Sequence, residues 1–201
     1  GWDGVRTGAL PICRGGTPRP TGCRGGPTYH TRLRADPGID AGRCAGMRLF
    51  SSGSAPILSA THEDFRRRTG HRILERYGMT ETSMITSNPL EGERRAGTVG
   101  FPLPGTDIRL AEDDTIEVRG PNVFDGYWRR PDLAATEFTA DGWFRTGDIG
   151  SIDSDGYLRI VGRSKDLVIS GGLNVHPKEV EDVIDAVDGV LAAIARTPSA
   201  P

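Results

Sequence analysis

The chain has 201 residues and a formal net charge of −2 at pH 7. That length suits one sizeable domain or a domain and a half, and the small charge excludes a global attraction to nucleic acid or anionic membranes. No apolar run approaches about eighteen residues and the N-terminus lacks the apolar core of a signal peptide, which predicts a cytoplasmic protein without a membrane span. With 28 Gly and 14 Pro, the chain should be rich in loops.

The first 27 residues differ from the rest of the chain. They contain eight Gly and four Pro with almost no apolar periodicity, so they bury too little surface to offset the entropy of ordering. We expect residues 1–27 to be disordered, either as an aberrant start of the gene or as a natural flexible arm. The three cysteines, Cys13, Cys23 and Cys44, show neither CxxC nor Cys/His ligand spacing, which argues against disulfides and zinc.

From residue 28 the pattern predicts a strand, a helix and a second strand. The strands are residues 47–51 (MRLFS) and 72–78 (RILERYG). One apolar helical face between them is formed by Leu58, His62 and Phe65. Gly70 ends this helix. The order favours a parallel βαβ unit, whose ligands gather beyond the carboxyl ends of the strands.

After residue 105, short apolar runs and tight turns predict a small antiparallel sheet. The Asp155-Gly156 pair marks a hairpin turn, and we expect Asp148 and Arg163 to lie on the edges of this sheet. A further unit follows it. Its helix begins at Pro177 and has an apolar face formed by Val180, Ile184 and Val187. The expected fold class is α/β.

Two stretches of the βαβ unit combine residues suited to a nucleotide. In residues 77–82 (YGMTET), Tyr77 can stack on a purine, the Thr80 hydroxyl can donate to a phosphate oxygen, and the Glu81 carboxylate is a hard ligand for Mg²⁺. A Thr-Glu pair also begins many helices, because Glu is favoured in a first turn. Residues 51–56 (SSGSAP) let backbone approach a flat base or an acyl group closely, although a plain strand-to-helix turn has the same pattern.

Asp148 and Arg163 form a second constellation. A carboxylate accepts two hydrogen bonds at once, so Asp148 can hold the vicinal hydroxyls of a ribose. A lone Gly-Asp pair more commonly caps a turn. Arg163 lies across the predicted hairpin from Asp148, which brings a guanidinium to the same place.

The chain presents its chemistry-bearing residues in one ordered series: Asp148, Arg163, Lys165, Gly171 and Gly172. With YGMTET upstream, this series resembles the acyl-activating, adenylate-forming enzymes, and residues 47–105 are most similar to malonyl-CoA synthetases. The resemblance implies that residues 28–163 form the C-terminal part of a large domain, with a βαβ unit and a small antiparallel sheet. It further implies a hinge at 164–166 and the truncated start of a small α+β C-terminal domain at 167–201.

The resemblance also implies a role for individual residues. Thr80 would contact phosphate, Glu81 would hold Mg²⁺, and Lys165 would be the hinge on which the small domain swings between adenylation and thioester formation. Gly171 and Gly172 would leave room for the pantetheine arm of CoA. The implied contacts to ATP or AMP are Ser54, Ala55, Pro56, Tyr77, Gly78, Met79, Thr80, Asp148 and Arg163.

An acid–thiol ligase that uses a small carboxylic acid, ATP and CoA is the implied activity. The overall likeness favours malonate or methylmalonate, and candidate partners for a distal carboxylate are Arg76, Arg94 and Arg95, although each also suits a surface position. The sequence predicts no nucleic-acid or membrane partner and does not indicate an oligomeric state.

Two elements of the family are not found in the sequence: the phosphate loop followed by Lys, and the late catalytic Lys. The only lysines are Lys165 and Lys178. We therefore expect an internal fragment that is inactive by itself. Two alternatives are an adenylation domain that loads a carrier protein and an inactive nucleotide-binding remnant.

Overall fold

The computed structural model describes residues 22–53, 57–170, 173–185, 187 and 190. Its strands are β1 Gly22–Gly25, β2 Leu49–Ser52, β3 Leu74–Met79, β4 Ser83–Ser87, β5 Phe101–Pro102, β6 Asp107–Leu110, β7 Thr115–Arg119, β8 Phe144–Ile152, β9 Leu158–Arg163, β10 Val168–Ser170 and β11 Leu173–Val175. Its α-helices are α1 Pro27–Ala35, α2 Ala41–Cys44, α3 Ser59–Thr69, α4 Pro131–Glu137 and α5 Pro177–Asp185. None of these helices is both long and apolar enough to cross a bilayer.

The strands of the described residues belong to three sheets. The first sheet has the order β1-β2-β3-β4-β5, the second has the order β6-β7-β8-β9, and β10 pairs with β11 alone. In the first sheet β1, β2 and β3 are parallel, whereas β4 and β5 are added antiparallel. The second sheet is antiparallel throughout. These arrangements confirm the α/β fold class and the predicted small antiparallel sheet.

The predicted βαβ unit is present as β2, α3 and β3. Helix α3 ends at Gly70, whose φ of 75° lies in the left-handed region that glycine adopts without strain. Phe65 on α3 packs edge-on against Phe50 on β2, with ring centroids 5.0 Å apart. Both rings are fully buried and belong to the apolar cluster between this helix layer and the sheet. The periodicity of the sequence thus located this unit correctly.

A second apolar cluster joins the two large sheets. It contains Ile85 of β4 together with Ile116 and Val118 of β7 and Leu158 of β9, all fully buried. Backbone hydrogen bonds between residues 99–100 and Leu158 add to this contact. The β3–β4 hairpin is therefore held directly against the second sheet.

Two expectations about local structure are wrong. The boundary of disorder at residue 27 is too late, because Gly22–Gly25 forms β1 beside β2, and α1 begins at Pro27. Pairing with β2 gives the backbone N–H and C=O groups of β1 hydrogen-bond partners, and composition does not reveal such pairing. Asp148 lies within β8, an inner strand, and not on an edge or turn of its sheet. Residues 1–21 lie outside the described residues.

A short series of elements follows β9, where the sequence predicts a further unit. Ser164–Asp166 forms a single 3₁₀ turn, followed by β10, β11 and the helix α5, which starts at Pro177 as expected. The apolar face predicted for α5 is solvent-exposed in part at Val180 and Ile184, at 39% and 41%. Gly171 and Gly172 lie outside the described residues, so their predicted role is untested.

Candidate functional site

The predicted Asp148–Arg163 pair forms across the β8–β9 hairpin. The two residues are register partners, and Arg163 Nε lies 3.0 Å from Asp148 Oδ1. Asp148 is only 5% exposed, whereas the Arg163 side chain is half exposed. A buried carboxylate is thus neutralised by a guanidinium that reaches solvent, and the pair lies at the end of β9 nearest the 3₁₀ turn.

Tyr77 on β3 connects the first sheet to this ion pair. Its hydroxyl donates to Asp148 Oδ2 at 2.5 Å, so both carboxylate oxygens have a partner. Burial raises the pKa of the Tyr77 phenol, and the negative charge of Asp148 raises it further. The phenol therefore stays protonated and remains a donor. Tyr77 and Asp148 are 71 positions apart in sequence, and no spacing rule connects them.

Gly78 has a structural reason to be glycine. A Cβ at this position would lie 2.1 Å from the backbone oxygen of Ser83 on the facing strand. Met79 beside it pairs with Ser83 at the end of the hairpin. Close approach of β3 and β4 thus accounts for Gly78 without a ligand, although the resemblance assigned it to nucleotide binding.

Thr80, Glu81 and Thr82 form the turn between β3 and β4. The structure therefore excludes the alternative that the Thr-Glu pair starts a helix. Thr80 is exposed and Glu81 is half-buried, and the Glu81 side-chain oxygen Oε1 accepts a 2.8 Å hydrogen bond from the Tyr127 hydroxyl. This turn lies at the carboxyl end of β3, the position that the βαβ order predicts for ligand-binding groups.

Glu81 fits one kind of magnesium site. No group of three or more His, Cys, Asp or Glu residues capable of enclosing a metal occurs among the described residues. Mg²⁺ usually keeps several waters and is held by one or two carboxylates together with substrate phosphates. One carboxylate at an accessible turn, beside the Thr80 hydroxyl, suits a cation that arrives with a nucleotide.

Glu75 is a buried acid that sequence reasoning missed. Its carboxylate accepts hydrogen bonds from Ile57 N at 3.1 Å and from Gly97 N at 3.0 Å, and the residue is 3% exposed. Burial raises its pKa to about 7, against the opposing effect of the two amides and of Arg159. The available signal was a Glu directly after the apolar Ile73 and Leu74 within a predicted strand. Ser54, Ala55 and Pro56, which precede Ile57, lie outside the described residues.

The three candidate arginines have different surroundings. Arg94 donates to the backbone oxygens of residues 72, 89 and 90, and Arg95 pairs with acidic side chains and lies over the Tyr157 ring at 4.2 Å. Arg76 instead lines an open cavity of about 430 Å³ on the first sheet, and its buried Nε has no hydrogen-bond partner. Burial and the nearby Arg24 lower the pKa of Arg76. Of the three, Arg76 is the one whose surroundings suit an anion.

Lys165 is exposed within the 3₁₀ turn that follows β9. The turn begins directly after Arg163, so any rotation there would begin next to the Asp148–Arg163 pair. The structure describes one conformation of this turn, and the predicted hinge stays a prediction.

The chain is similar in sequence to known proteins. Residues 17–128 match the family model described as "AMP-binding enzyme". The chain is 43% identical over 149 residues to a long-chain-fatty-acid–CoA ligase of Yersinia pestis, covering 69% of this chain and 26% of that protein. It is 44% identical over 146 residues to a malonate–CoA ligase of Arabidopsis thaliana, covering 69% of this chain and 24% of the relative.

A solved structure matches the fold. ATP-bound MatB from Rhodopseudomonas palustris superposes with a TM-score of 0.85 at 50% identity, over 88% of this chain and 37% of that one. The chain therefore spans about a quarter of the length of the two curated relatives and just over a third of the solved structure.

Proposed function

Because the chain belongs to the AMP-binding enzyme family, we propose that it carries the nucleotide-binding part of an ATP-dependent acyl-CoA ligase. The observation that carries this proposal is the convergence of Tyr77, Asp148 and Arg163 from two sheets. The carboxylate of Asp148 would accept hydrogen bonds from the ribose hydroxyls, and Arg163 would contribute a donor and positive charge. Thr80 and Glu81 would meet the phosphates at the neighbouring turn.

The proposed reaction has two steps. An oxygen of the substrate carboxylate attacks the α-phosphorus of ATP, and the bond to pyrophosphate breaks. The CoA thiolate then attacks the acyl carbon, and AMP leaves. Bound Mg²⁺ would supply charge neutralisation at the phosphates, and Glu81 is the residue that would hold it. Within this chain, Asp148 and Arg163 orient the nucleotide, which accelerates reaction by positioning.

The substrate that we propose is a small dicarboxylate, malonate or methylmalonate. Identity alone does not decide this, because the long-chain and malonate ligases are equally similar to the chain, at 43% and 44%. Support comes from Arg76, a guanidinium with an unpartnered buried Nε that lines an open cavity. A fatty acyl chain would leave this charge uncompensated, whereas a second carboxylate would pair with it.

The thiol side of the reaction depends on residues near the end of the chain. We propose that Lys165 is the hinge between the two half-reactions and that Gly171 and Gly172 border the thiol. In a longer ligase containing this chain, Lys165→Pro should leave adenylate formation largely intact and lower thioester formation. Equal loss of both half-reactions would show that Lys165 is not the hinge.

The nucleotide proposal is tested by measuring AMP and ATP binding to the 201-residue chain by calorimetry. Asp148→Ala should weaken binding of both nucleotides by at least about tenfold, since a hydrogen bond to a charged group contributes roughly 1.5–3 kcal/mol. Asp107→Ala is the matched control. Asp107 on β6 is exposed and pairs with Arg119, so this variant should bind both nucleotides as the unchanged chain does. Absence of nucleotide binding by the unchanged chain would refute the proposal.

A further inference from the structure

The turn that carries Glu81 is held from the second sheet. The backbone N–H of Phe124 donates to the Glu81 carbonyl oxygen at 2.8 Å, and Asn122 Nδ2 donates to the Thr82 carbonyl oxygen at 2.7 Å. Both donors lie in the segment that follows β7. These two hydrogen bonds hold the backbone of the turn independently of the Glu81 side chain.

Tyr127, three residues beyond Phe124, acts on the side chain itself. Its hydroxyl donates to Glu81 Oε1 at 2.8 Å. The Tyr127 ring contacts the Phe124 ring edge-on at 4.8 Å, and Phe124 in turn packs against Phe144 at 5.4 Å. The ring is therefore supported by the aromatic side of the second sheet, although Tyr127 is 39% exposed.

The Tyr127 phenol is the donor in this hydrogen bond, because the carboxylate oxygen of Glu81 can only accept. With Oε1 held by this donor, the second oxygen, Oε2, is the one presented to a cation. An oriented carboxylate loses less side-chain entropy when it binds, which is how partners of a ligand strengthen metal binding.

We propose that Tyr127 is a positioning residue that orients Glu81 toward the Mg²⁺ of a bound nucleotide. This inference rests on the proposed nucleotide-binding function. It assigns no catalytic contact to Tyr127, which acts through Glu81 alone. A purely structural role for Tyr127 makes a different prediction, because loss of a packing contact would weaken nucleotide binding with and without metal alike.

The test measures ATP affinity of the 201-residue chain by calorimetry, once with excess Mg²⁺ and once with a chelator. Tyr127→Phe keeps the ring and removes the donor. It should leave the metal-free affinity unchanged and lower the Mg²⁺-dependent gain in affinity about three- to tenfold. Glu81→Gln should lower that gain further, and adding Tyr127→Phe to it should cause no additional loss.

Tyr157→Phe is the matched control. Its hydroxyl donates to the backbone oxygen of Glu93 at 2.8 Å, away from Glu81, so both affinities should match those of the unchanged chain. A full Mg²⁺-dependent gain in Tyr127→Phe would overturn the inference while leaving the proposed function standing. So would equal losses with and without metal. Failure of the unchanged chain to bind ATP in either condition would refute the proposed function, and the inference with it.

Discussion

Two hydrogen bonds from a tyrosine to a carboxylate join the first and second sheets at the candidate site, one on the β3 side and one at the turn. The donor comes from the first sheet in one and from the second-sheet side in the other. On the β3 side, Tyr77 of the first sheet donates to Asp148 of the second sheet; at the turn, Tyr127 of the second-sheet side donates to Glu81 of the first. The β3 side is buried, with Asp148 at 5% exposure, whereas Tyr127 is 39% exposed. Since buried polar groups are costly to leave unpaired and exposed ones are not, changes on the β3 side should lower stability. Changes at the turn should alter the response to Mg²⁺ with little effect on stability.

The largest expected effect on stability comes from Glu75, two residues before Tyr77 on β3. Its pKa is raised from 4.5 to about 7 in the folded protein, so the folded state binds the proton more tightly than the unfolded state. The associated stability is fully present below pH 4.5 and is lost as the pH rises through 7. The shift corresponds to a change on the order of 3 kcal/mol.

Urea unfolding of the unchanged chain and of Glu75→Gln between pH 4 and 8 checks this, since the difference between the two isolates Glu75. The comparison is needed because His30 and His62 give stability the opposite dependence on pH. Burial lowers the pKa of both, so their contribution to the free energy of unfolding falls as the pH drops below 6.5. A difference that does not vary with pH would contradict the prediction.

Asp148→Ala should have the next largest effect, a loss of about 2 kcal/mol in the free energy of unfolding. The substitution leaves the partly buried Tyr77 hydroxyl without its acceptor and Arg163 without its counter-charge. Denaturant unfolding at pH 7 measures the loss. Asp107→Ala breaks an ion pair whose two side chains are both exposed and should cost less than about 0.5 kcal/mol. Similar losses for the two variants would show that the buried β3 side is no more important for stability than an exposed site.

Tyr77→Phe should cost about 1 kcal/mol, because it removes one hydrogen bond and keeps the partly buried ring. The partner Asp148 retains Arg163, so the penalty is smaller than for deleting the carboxylate. The same unfolding experiment, run in parallel with Asp148→Ala, gives the order of the two effects. A larger loss in Tyr77→Phe would mean that the phenol, and not the ion pair, dominates the buried half.

Tyr127→Phe should have the smallest effect on stability, a few tenths of a kcal/mol, since water can replace the lost partner at an exposed site. Thermal unfolding without nucleotide measures it. A loss as large as that of Tyr77→Phe would show that the exposed half is also structural, and would break the comparison.

Much of the fold could be predicted because its signals are local. Helix α3 and its end at Gly70 follow from apolar spacing and from one left-handed glycine. The β8–β9 hairpin follows from Asp155-Gly156, and that hairpin places Asp148 opposite Arg163. Strand β1 could not be predicted, because its GCRG sequence has no strand pattern and it is formed by pairing with β2.

The sequence by itself determined the order of the chemical groups and the pairings that a single hairpin or βαβ unit can set, including Asp148 with Arg163. Only the tertiary structure decided that Tyr77 reaches Asp148, that Tyr127 reaches Glu81, and that Glu75 is buried between two loops. These contacts join residues 71, 46 and 18 or 22 positions apart. They depend on how apolar residues of β4, β7 and β9 pack the first sheet against the second, and such packing has no periodic signature along the chain.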